Sequence, residues 1–322
     1  MPRKSKERRA PNPSPAARER DRDRDVTTRC GFVALIGAPN AGKSTLMNQL
    51  VGHKLAIVTP KVQTTRTRLL GIAIEGQAQL IFVDTPGIFA PKRRLERAMV
   101  AAAWAGAQDA DIVVVLVDAS RGIDADARRI IDGFKAVGRR AILALNKIDI
   151  VKPEKLLGLT ATLAKDGIFE PIFMISGLTG SGVNDLRDHL VKSLPEGPFL
   201  FPEDQLSDMP QRLLAAEATR EQVFLQLHDE LPYSATVETE SWEQFKNGSV
   251  KITQTIFVQR DSQKAIVLGH EGGQIKRIGA RARLELERLF GHRVHLFLFV
   301  KVREGWTDDR ERYEAMRLEY GE

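Results

Sequence analysis

Residues 37–44 read GAPNAGKS and join an apolar run at 32–36, which predicts a buried strand, to a helix-period stretch that begins at Leu46. A glycine-rich turn between a strand and a helix can present successive backbone N–H groups, and the positive end of the helix dipole, to a phosphate. Lys43 can then reach the β- and γ-phosphate oxygens, and the Ser44 hydroxyl can reach Mg²⁺. The stretch therefore predicts a phosphate-binding loop on a strand-to-helix turn.

The composition is ordinary for a globular protein and fits two domains. The chain has 322 residues, 43% hydrophobic and 28% charged, with a formal net charge of +6. No apolar run approaches the roughly 18 residues needed to span a bilayer. Cys30 is the only cysteine, which excludes disulfides within the chain and predicts a reducing compartment.

The first 25 residues differ in composition from the rest of the chain. They carry nine Lys or Arg and five Asp or Glu, a net charge of +4, with few apolar residues. Because such a segment cannot bury a core, we predict a disordered basic tail over residues 1–28. The missing apolar stretch and the Arg-Asp alternation at 20–25 argue against a signal or transit peptide. A solvated extension and a weak electrostatic tether to RNA both stay open.

Strand-like and helix-like segments alternate after the tail. Apolar runs lie near 31–36, 79–83, 112–117, 141–145 and 171–175. This rhythm predicts an α/β domain with a mixed, mostly parallel sheet. The runs at 112–117 and 141–145 show no polar alternation, which is typical of central strands covered on both faces. A hairpin around Gly76 predicts one antiparallel edge strand.

Proline and glycine at 195–211 predict a linker, and a smaller α+β unit follows it. In that unit we predict a helix at 211–231, strands at 235–241, 250–258, 265–268 and 294–302, and two helical stretches across 273–290. The expected divisions are a tail at 1–28, a first domain at 29–195, a linker at 196–210, a second domain at 211–303 and a C-terminal tail of helical character at 304–322.

Three further segments narrow the ligand to a guanine nucleotide with Mg²⁺. Asp84 follows a predicted strand and can hold the metal's water shell, while the Gly87 N–H is available to a γ-phosphate. Asp149, in NKID at 146–149, can accept hydrogen bonds from guanine N1–H and the 2-amino group, a donor pair that adenine lacks. Residues 176–178, at the tip of the next strand, can line the base with backbone N–H groups.

These motifs, in this order on successive strand ends, resemble those of the translation-factor-like small GTPases. The resemblance covers residues 31–195 and implies a P-loop GTPase domain that hydrolyses GTP to GDP and phosphate. The family's mobile Thr segment is matched by residues 59–68, where Thr65 is the expected contact to Mg²⁺ and the γ-phosphate. Gly177 stands where the family has alanine.

The resemblance gives each position an expected role. GTP-binding residues would be Asn40, Ala41, Gly42, Lys43, Ser44, Thr45, Asp84, Gly87, Asn146, Lys147, Asp149, Ser176, Gly177 and Leu178. Mg²⁺ would be held by Ser44, Thr65 and Asp84. Hydrolysis would depend on Lys43, Thr65, Gly87 and Asn40.

The residue after Gly87 bears on how hydrolysis proceeds. Many GTPases place a glutamine there to orient the attacking water, whereas this chain has Ile88. Asn40 stands where relatives with a hydrophobic replacement carry a potassium-ligating asparagine. We therefore hypothesise that K⁺ supplies positive charge at the β/γ bridge.

The second domain contains GHEGG at 269–273, a Gly-x-x-Gly loop that opens an amphipathic helix. Such a loop can bring its backbone against nucleic-acid phosphates. Residues 260–303 carry ten Lys or Arg against four Asp or Glu, so positive charge is concentrated around the loop. The expected RNA-binding residues are Gly269, His270, Gly272, Gly273, Lys276, Arg277 and Arg281.

This unit resembles a type II KH domain, and the combination of both domains resembles the Era-like GTPases over about 30–303. The resemblance implies a cytoplasmic monomer that binds the 3′ end of small-subunit ribosomal RNA, assists 30S subunit maturation and associates loosely with the inner membrane. Glu271 departs from the usual loop lysine and should weaken phosphate binding. Two alternatives stay open: a GTPase that assists tRNA modification, and an RNA-binding module with a structural nucleotide site.

Overall fold

The computed structural model describes residues 27–61, 64–306, 309–316 and 318–320. The tail predicted at 1–28 lies outside the described residues except for its last two. The elements, in chain order, are β1 (Arg29–Gly37), α1 (Lys43–Val51), β2 (Leu69–Glu75), β3 (Ala78–Asp84), α2 (Arg94–Asp109), β4 (Ile112–Asp118), α3 (Ala125–Ala136), β5 (Ala141–Asn146), α4 (Pro153–Ala164), β6 (Phe169–Met174), α5 (Val183–Ser193), α6 (Gln211–Gln226), β7 (Thr236–Gln244), β8 (Val250–Val258), α7 (Asp261–Leu268), α8 (Gly273–Phe290), β9 (Val294–Val302) and α9 (Arg310–Ala315).

The N-terminal domain is built on a six-stranded sheet of order β2-β3-β1-β4-β5-β6. All neighbouring pairs are parallel except β2 and β3, which form the antiparallel hairpin predicted around Gly76. Helices α1 and α5 cover one face of the sheet, and α2, α3 and α4 cover the other. The mixed, mostly parallel sheet predicted from the apolar runs is confirmed.

The segment after α5 is irregular, and it is anchored along the β2 and β3 edge. The Ile72 N–H donates to the Leu206 carbonyl at 2.8 Å, and the Ser207 hydroxyl donates to the Leu70 carbonyl at 2.8 Å. Gln79, fully buried, accepts from the Leu200 and Phe201 N–H groups. The linker therefore satisfies polar groups that an open sheet edge would leave exposed.

The C-terminal domain has a three-stranded sheet of order β7-β8-β9, with β7 antiparallel and β9 parallel to β8. Helices α6 and α8 pack against one of its faces. Three sequence predictions were wrong here. Residues 265–268 end helix α7 and do not form a strand; α6 stops at Gln226 and does not reach 231; and 273–290 is one helix, not two.

The chain after β9 returns to the N-terminal domain. Trp306, Tyr313 and Leu318 form a buried cluster with Leu95 and Met99 of α2. The Trp306 indole N–H donates to the Ser234 carbonyl at 3.0 Å. Within the part of the chain described, every helix is too short or too polar to cross a membrane.

Candidate functional site

The loop at 37–44 connects β1 to α1, and its geometry depends on a close approach by Asn146. Gly42 has φ +96°, and a Cβ added there would lie 2.2 Å from the Asn146 side-chain nitrogen. That nitrogen donates to the Ala41 carbonyl at 2.8 Å. Only glycine fits this position, because a side chain would collide with Asn146 and the backbone conformation is left-handed.

Lys43 lies folded along the loop. Its ammonium donates to the Gly37 and Ala38 carbonyls at 3.0 and 3.1 Å. Burial lowers the pKa of Lys43 to about 8, although Asp84 opposes the shift. The Lys43 ammonium therefore stands within the loop that would hold the phosphates.

Three oxygen donors predicted to hold Mg²⁺ lie together. The Ser44 hydroxyl donates to Asp84 Oδ2 at 2.7 Å, the Thr65 hydroxyl donates to the same atom at 3.0 Å, and the two hydroxyls are 2.8 Å apart. Asp84 is fully buried, and burial raises the pKa of its carboxyl against the opposing hydrogen bonds from Ser44 and Thr65. Asp84 Oδ1 is buried and accepts no well-formed hydrogen bond within the described residues.

This set of hard oxygen atoms fits Mg²⁺, which prefers a few protein oxygens together with waters and substrate phosphates. A divalent cation would offset the cost of burying the Asp84 carboxylate beside two hydroxyls. Thr65 comes from the Thr segment, residues 59–68, whereas Ser44 and Asp84 come from the rigid ends of α1 and β3. The position of Thr65 therefore depends on how the Thr segment is held.

Ile88 cannot act on a water at the γ-phosphate. Its side chain is fully buried in the core under β4, and its backbone N–H donates to the Gly37 carbonyl at 3.1 Å. Gly87 passes so close to the loop that a Cβ there would lie 2.9 Å from the Pro39 backbone. The backbone of this turn, and not a side chain, faces the phosphate loop.

Asn146 joins the base side of the site to the phosphate loop. Its side-chain oxygen accepts from the Lys147 N–H at 2.8 Å and from the Gly177 N–H at 2.9 Å. Ser176 is fully buried, and its hydroxyl accepts from the Thr179 N–H at 3.1 Å. These contacts fix the two loops that would surround the base relative to residues 37–44.

A cavity of about 380 Å³ lies at this edge of the sheet. Predicted residues that line it are Asn40, Gly42, Lys43, Ser44, Thr45, Thr65, Gly87 and Lys147. Ala41, Asp84, Asn146, Ser176 and Gly177 are buried and do not line the cavity. Asp149 and Leu178 are exposed and do not line the cavity.

Asp118 is a residue of the site that the sequence motifs did not indicate. It ends β4, lines the cavity, and accepts from the Lys147 ammonium at 2.7 Å and the Ser120 hydroxyl at 2.5 Å. Burial alone would raise the pKa of Asp118, but the hydrogen bonds from Lys147 and Ser120 outweigh it and hold the pKa below its usual value. The sequence feature that could have indicated Asp118 is a carboxylate directly after the predicted buried strand at 112–117.

The described residues of the Thr segment, which matches a mobile segment of the family, lie against α6 of the C-terminal domain. Asn40 donates to the Pro60 carbonyl at 2.9 Å, and Lys61 donates to the carbonyls of Phe224 and Leu227 at the end of α6. Just before the segment, the Val58 N–H donates to Glu221 at 2.8 Å. These contacts connect two distant parts of the sequence, so no local pattern could have revealed them.

The Gly-x-x-Gly loop lies between α7 and α8 and requires its first glycine. Gly269 has φ +70°, and a Cβ there would lie 2.7 Å from Gln274 Cβ. Glu271 is exposed and forms no ion pair within the described chain. Lys276, Arg277 and Arg281 are exposed on α8, so their charges face solvent together.

Comparison with known proteins assigns both domains. Residues 32–147 match the family model described as a 50S ribosome-binding GTPase, and residues 230–307 match that of the KH domain. The chain is 59% identical over 293 residues to GTPase Era of Afipia carboxidovorans, covering 91% of this chain and 95% of that protein. It is 60% identical over 293 residues to GTPase Era of Mesorhizobium japonicum, covering 91% and 94%.

This chain belongs to the GTPase Era family. The crystal structure of Era with MgGDPNP and nucleotides 1506–1542 of 16S ribosomal RNA superposes with a TM-score of 0.85 at 38% identity, covering 90% of this chain and 98% of that one. A variant of Aquifex aeolicus Era bound to GDP and AlF4⁻ also gives 0.85 at 38% identity, covering 90% and 99%. The predicted P-loop GTPase fold followed by a KH domain is thereby confirmed.

Proposed function

We propose that this protein is a GTP-hydrolysing switch that binds the 3′ end of small-subunit ribosomal RNA and assists maturation of the 30S subunit. The observation that carries the proposal is a glycine-rich loop beside the clustered oxygens of Ser44, Thr65 and Asp84, in the same chain as a KH loop flanked by exposed cations. Its relative of 38% identity was solved with MgGDPNP and a 16S ribosomal RNA fragment, so both ligand classes occur together in that protein.

At the nucleotide site, the loop at 37–44 would hold the β- and γ-phosphates through backbone N–H groups and Lys43. Ser44 and Thr65 would bind Mg²⁺, and Asp84 would hold the metal's waters. Asp149 would accept from guanine, and residues 176–178 would line the base. Mg²⁺ would neutralise charge on the phosphate oxygens, and the Gly87 N–H would stabilise the transferring phosphoryl group.

At the RNA site, the backbone at Gly269, His270, Gly272 and Gly273 would approach the phosphates, and Lys276, Arg277 and Arg281 would supply positive charge. The matching test is co-sedimentation with 30S particles in GDP and in a non-hydrolysable GTP analogue. We expect more retention with the analogue, and loss of retention in Gly272→Asp. Retention that ignores the nucleotide or survives Gly272→Asp would contradict the proposal.

Gly138→Asp provides the matched control for that variant. Gly138 lies in an open turn of the GTPase domain with φ +63°, close to the φ of +73° at Gly272, and a Cβ at either glycine meets nothing closer than 4.0 Å. Both substitutions add one negative charge and similar backbone strain. Gly138→Asp should therefore retain RNA binding if the loss in Gly272→Asp arises at the loop.

We also infer that K⁺ assists hydrolysis near Asn40. The Asn40 side-chain nitrogen is engaged by the Pro60 carbonyl, so the side-chain oxygen is the atom that would meet a cation. We expect faster hydrolysis in KCl than in NaCl, and expect Asn40→Ala to abolish the difference. Equal rates in the two salts, or an unchanged K⁺ response in Asn40→Ala, would remove K⁺ from the mechanism.

The remaining family expectations complete the proposal. The protein would act in the cytoplasm as a monomer and associate with the inner membrane only peripherally. Sedimentation equilibrium and vesicle flotation of the full chain test these two points separately, and a stable dimer or salt-resistant membrane binding would contradict them.

A further inference from the structure

We propose that Arg66 is a positioning residue for GTP hydrolysis: anchored in the KH domain, it holds the neighbouring Thr65 at the metal site. The inference goes beyond the nucleotide contacts assigned above and rests on the proposed metal role of Thr65. It requires that the two side chains be fixed in different domains, and that the Arg66 anchor be strong.

Arg66 is buried, and its hydrogen-bond and ring partners belong to the C-terminal part of the chain. Its guanidinium donates to the carbonyls of Ala235 at 2.9 Å, Tyr233 at 3.0 Å and Pro232 at 3.3 Å. The rings of Phe224 and Trp306 lie on it, each with its centroid 5.6 Å from the guanidinium carbon. The side chain is 4% exposed. Its planar fork fits several carbonyls and an aromatic face at once, a combination that lysine cannot reproduce.

The Thr65 side chain, in contrast, lies at the metal site of the GTPase domain. Its hydroxyl lies 2.8 Å from the Ser44 hydroxyl and 3.0 Å from Asp84 Oδ2. Because Thr65 and Arg66 are consecutive, their Cα atoms are only about 3.8 Å apart, and neither side chain can move far while the other stays bound. The KH domain and the metal site are thus joined through a single peptide bond.

Two more contacts restrain the chain on the other side of Thr65. Arg220 of α6, 2% exposed, donates to the Thr64 carbonyl and pairs with Glu217. Lys61 donates to the carbonyls of Phe224 and Leu227. Thr65 is therefore held from both directions by one surface, and its placement costs less ordering entropy when the KH domain is docked.

A residue that only stabilises the domain interface would change the stability of the protein and leave the Mg²⁺ dependence of hydrolysis unchanged. A positioning residue for Thr65 changes the Mg²⁺ concentration that gives half-maximal hydrolysis, because a displaced hydroxyl binds the metal less well. GDP affinity is a second readout. It should stay unchanged when Arg66 is replaced, since Arg66 is not among the residues that line the nucleotide cavity. The proposal therefore predicts a change in hydrolysis and Mg²⁺ dependence with little change in GDP binding.

The experiment compares Arg66→Ala with Arg68→Ala in the full chain. Arg68 lies two residues along and donates no hydrogen bond within the described residues, so it controls for loss of charge in the same segment. We expect Arg66→Ala to lower kcat by about tenfold or more, the effect of losing a charged hydrogen-bonding group, and to raise the half-saturating Mg²⁺ concentration. Arg68→Ala should behave as the wild type in both.

Thr65→Ala separates failure of this inference from failure of the proposed metal role. If Thr65→Ala hydrolyses GTP normally, both are overturned. If Thr65→Ala is inactive while Arg66→Ala keeps the wild-type kcat and Mg²⁺ dependence, only the Arg66 inference is overturned. Faster hydrolysis in Arg66→Ala would also overturn it, because Arg66 would then restrain Thr65 away from its working position.

A change on the KH side extends the test and covers the case in which Arg66→Ala does not fold. Phe224→Leu shortens the surface on which Arg66 stacks without touching the nucleotide site, and Arg66→Lys keeps the charge without the fork. Both should show the same combination of lower kcat, higher Mg²⁺ requirement and unchanged GDP affinity, to a smaller extent. The Phe224 ring also lies against the Arg220 guanidinium, with 5.1 Å from its centroid to the guanidinium carbon, so Arg66→Lys is the more selective of the two variants. Wild-type kcat and Mg²⁺ dependence in both variants would contradict the inference.

Discussion

Two buried side chains, one behind the cavity and one lining it, organise the candidate nucleotide site. Asn146 ties three loops together through the Ala41 carbonyl and the N–H groups of Lys147 and Gly177. Asp118 fixes the position of the Lys147 side chain, because it accepts a hydrogen bond from the Lys147 ammonium at 2.7 Å. Asn146 is only 2% exposed and Asp118 only 8%, so each hydrogen bond that they make is costly to lose.

We predict that Asp118→Asn weakens guanine-nucleotide binding. The amide is nearly isosteric but carries no charge, so Lys147 loses its ion pair and its fixed position at the cavity. Loss of a charged hydrogen bond of about 1.5 kcal/mol corresponds to about tenfold in the GDP dissociation constant. Titration with fluorescent GDP measures it. Asp132→Asn, an exposed change on α3, should leave affinity unchanged; equal affinities in the two variants would show that Asp118 plays no part in binding.

Among the helices and strands, local sequence predicted best those whose burial is indicated by their own composition. The apolar runs of β4 and β5 are buried on both faces, and their composition alone indicates this. Residues 265–268 do not form the predicted strand, and a short apolar run does not distinguish a strand from the last turn of a helix. There only Val267 is buried, while Ile266 is 57% exposed. The run is the end of α7, which Gly269 then terminates.

The residues of the candidate site also divide into those that local sequence predicts and those that it does not. Gly42, Ser44, Asp84 and Asn146 could be predicted because each belongs to a short motif at the end of a strand. The pocket for Arg66 could not, since its carbonyls lie about 170 residues further along the chain, as the separation of 169 between Arg66 and Ala235 shows. Contacts of this kind depend on the docking of two domains, which no periodicity records.

We predict that Glu271→Lys strengthens RNA binding through the Gly-x-x-Gly loop. Glu271 is exposed in the loop between Gly269 and Gly272, where its charge repels phosphate and a lysine would attract it. The slope of log K against log salt should steepen by about 0.7 to 1 for one added phosphate contact. Affinity for a single-stranded RNA, measured at several KCl concentrations, checks this. Asp188→Lys makes the same charge change on α5 of the GTPase domain, and a similar gain there would mean that the loop is not where the RNA backbone lies.

In the part of the chain that the structure describes, the two domains are joined at three places. Lys54 donates to Glu221 at 2.7 Å and to Glu285 at 2.8 Å, the Thr segment lies on α6, and the C-terminal segment packs on α2. Trp306 belongs to two of these, since it packs in the cluster with α2 and lies on the Arg66 guanidinium. The candidate nucleotide site and the domain that carries the Gly-x-x-Gly loop are thus connected through a packed, hydrogen-bonded interface.

We predict that Trp306→Ala uncouples the unfolding of the two domains. Trp306 is 1% exposed, and replacing a buried tryptophan by alanine costs about 3–5 kcal/mol. In the wild type we expect one calorimetric transition, and GDP with Mg²⁺ should raise its midpoint because the ligand binds only the folded state. In Trp306→Ala a second transition should appear for the KH domain at lower temperature, and GDP should no longer shift it. Trp242→Ala removes a tryptophan that packs on Phe290 within the KH domain, so it should lower the midpoint while the two domains still respond to GDP together. A Trp306→Ala protein that keeps one GDP-responsive transition would mean that the Lys54 and Arg66 contacts alone hold the domains together.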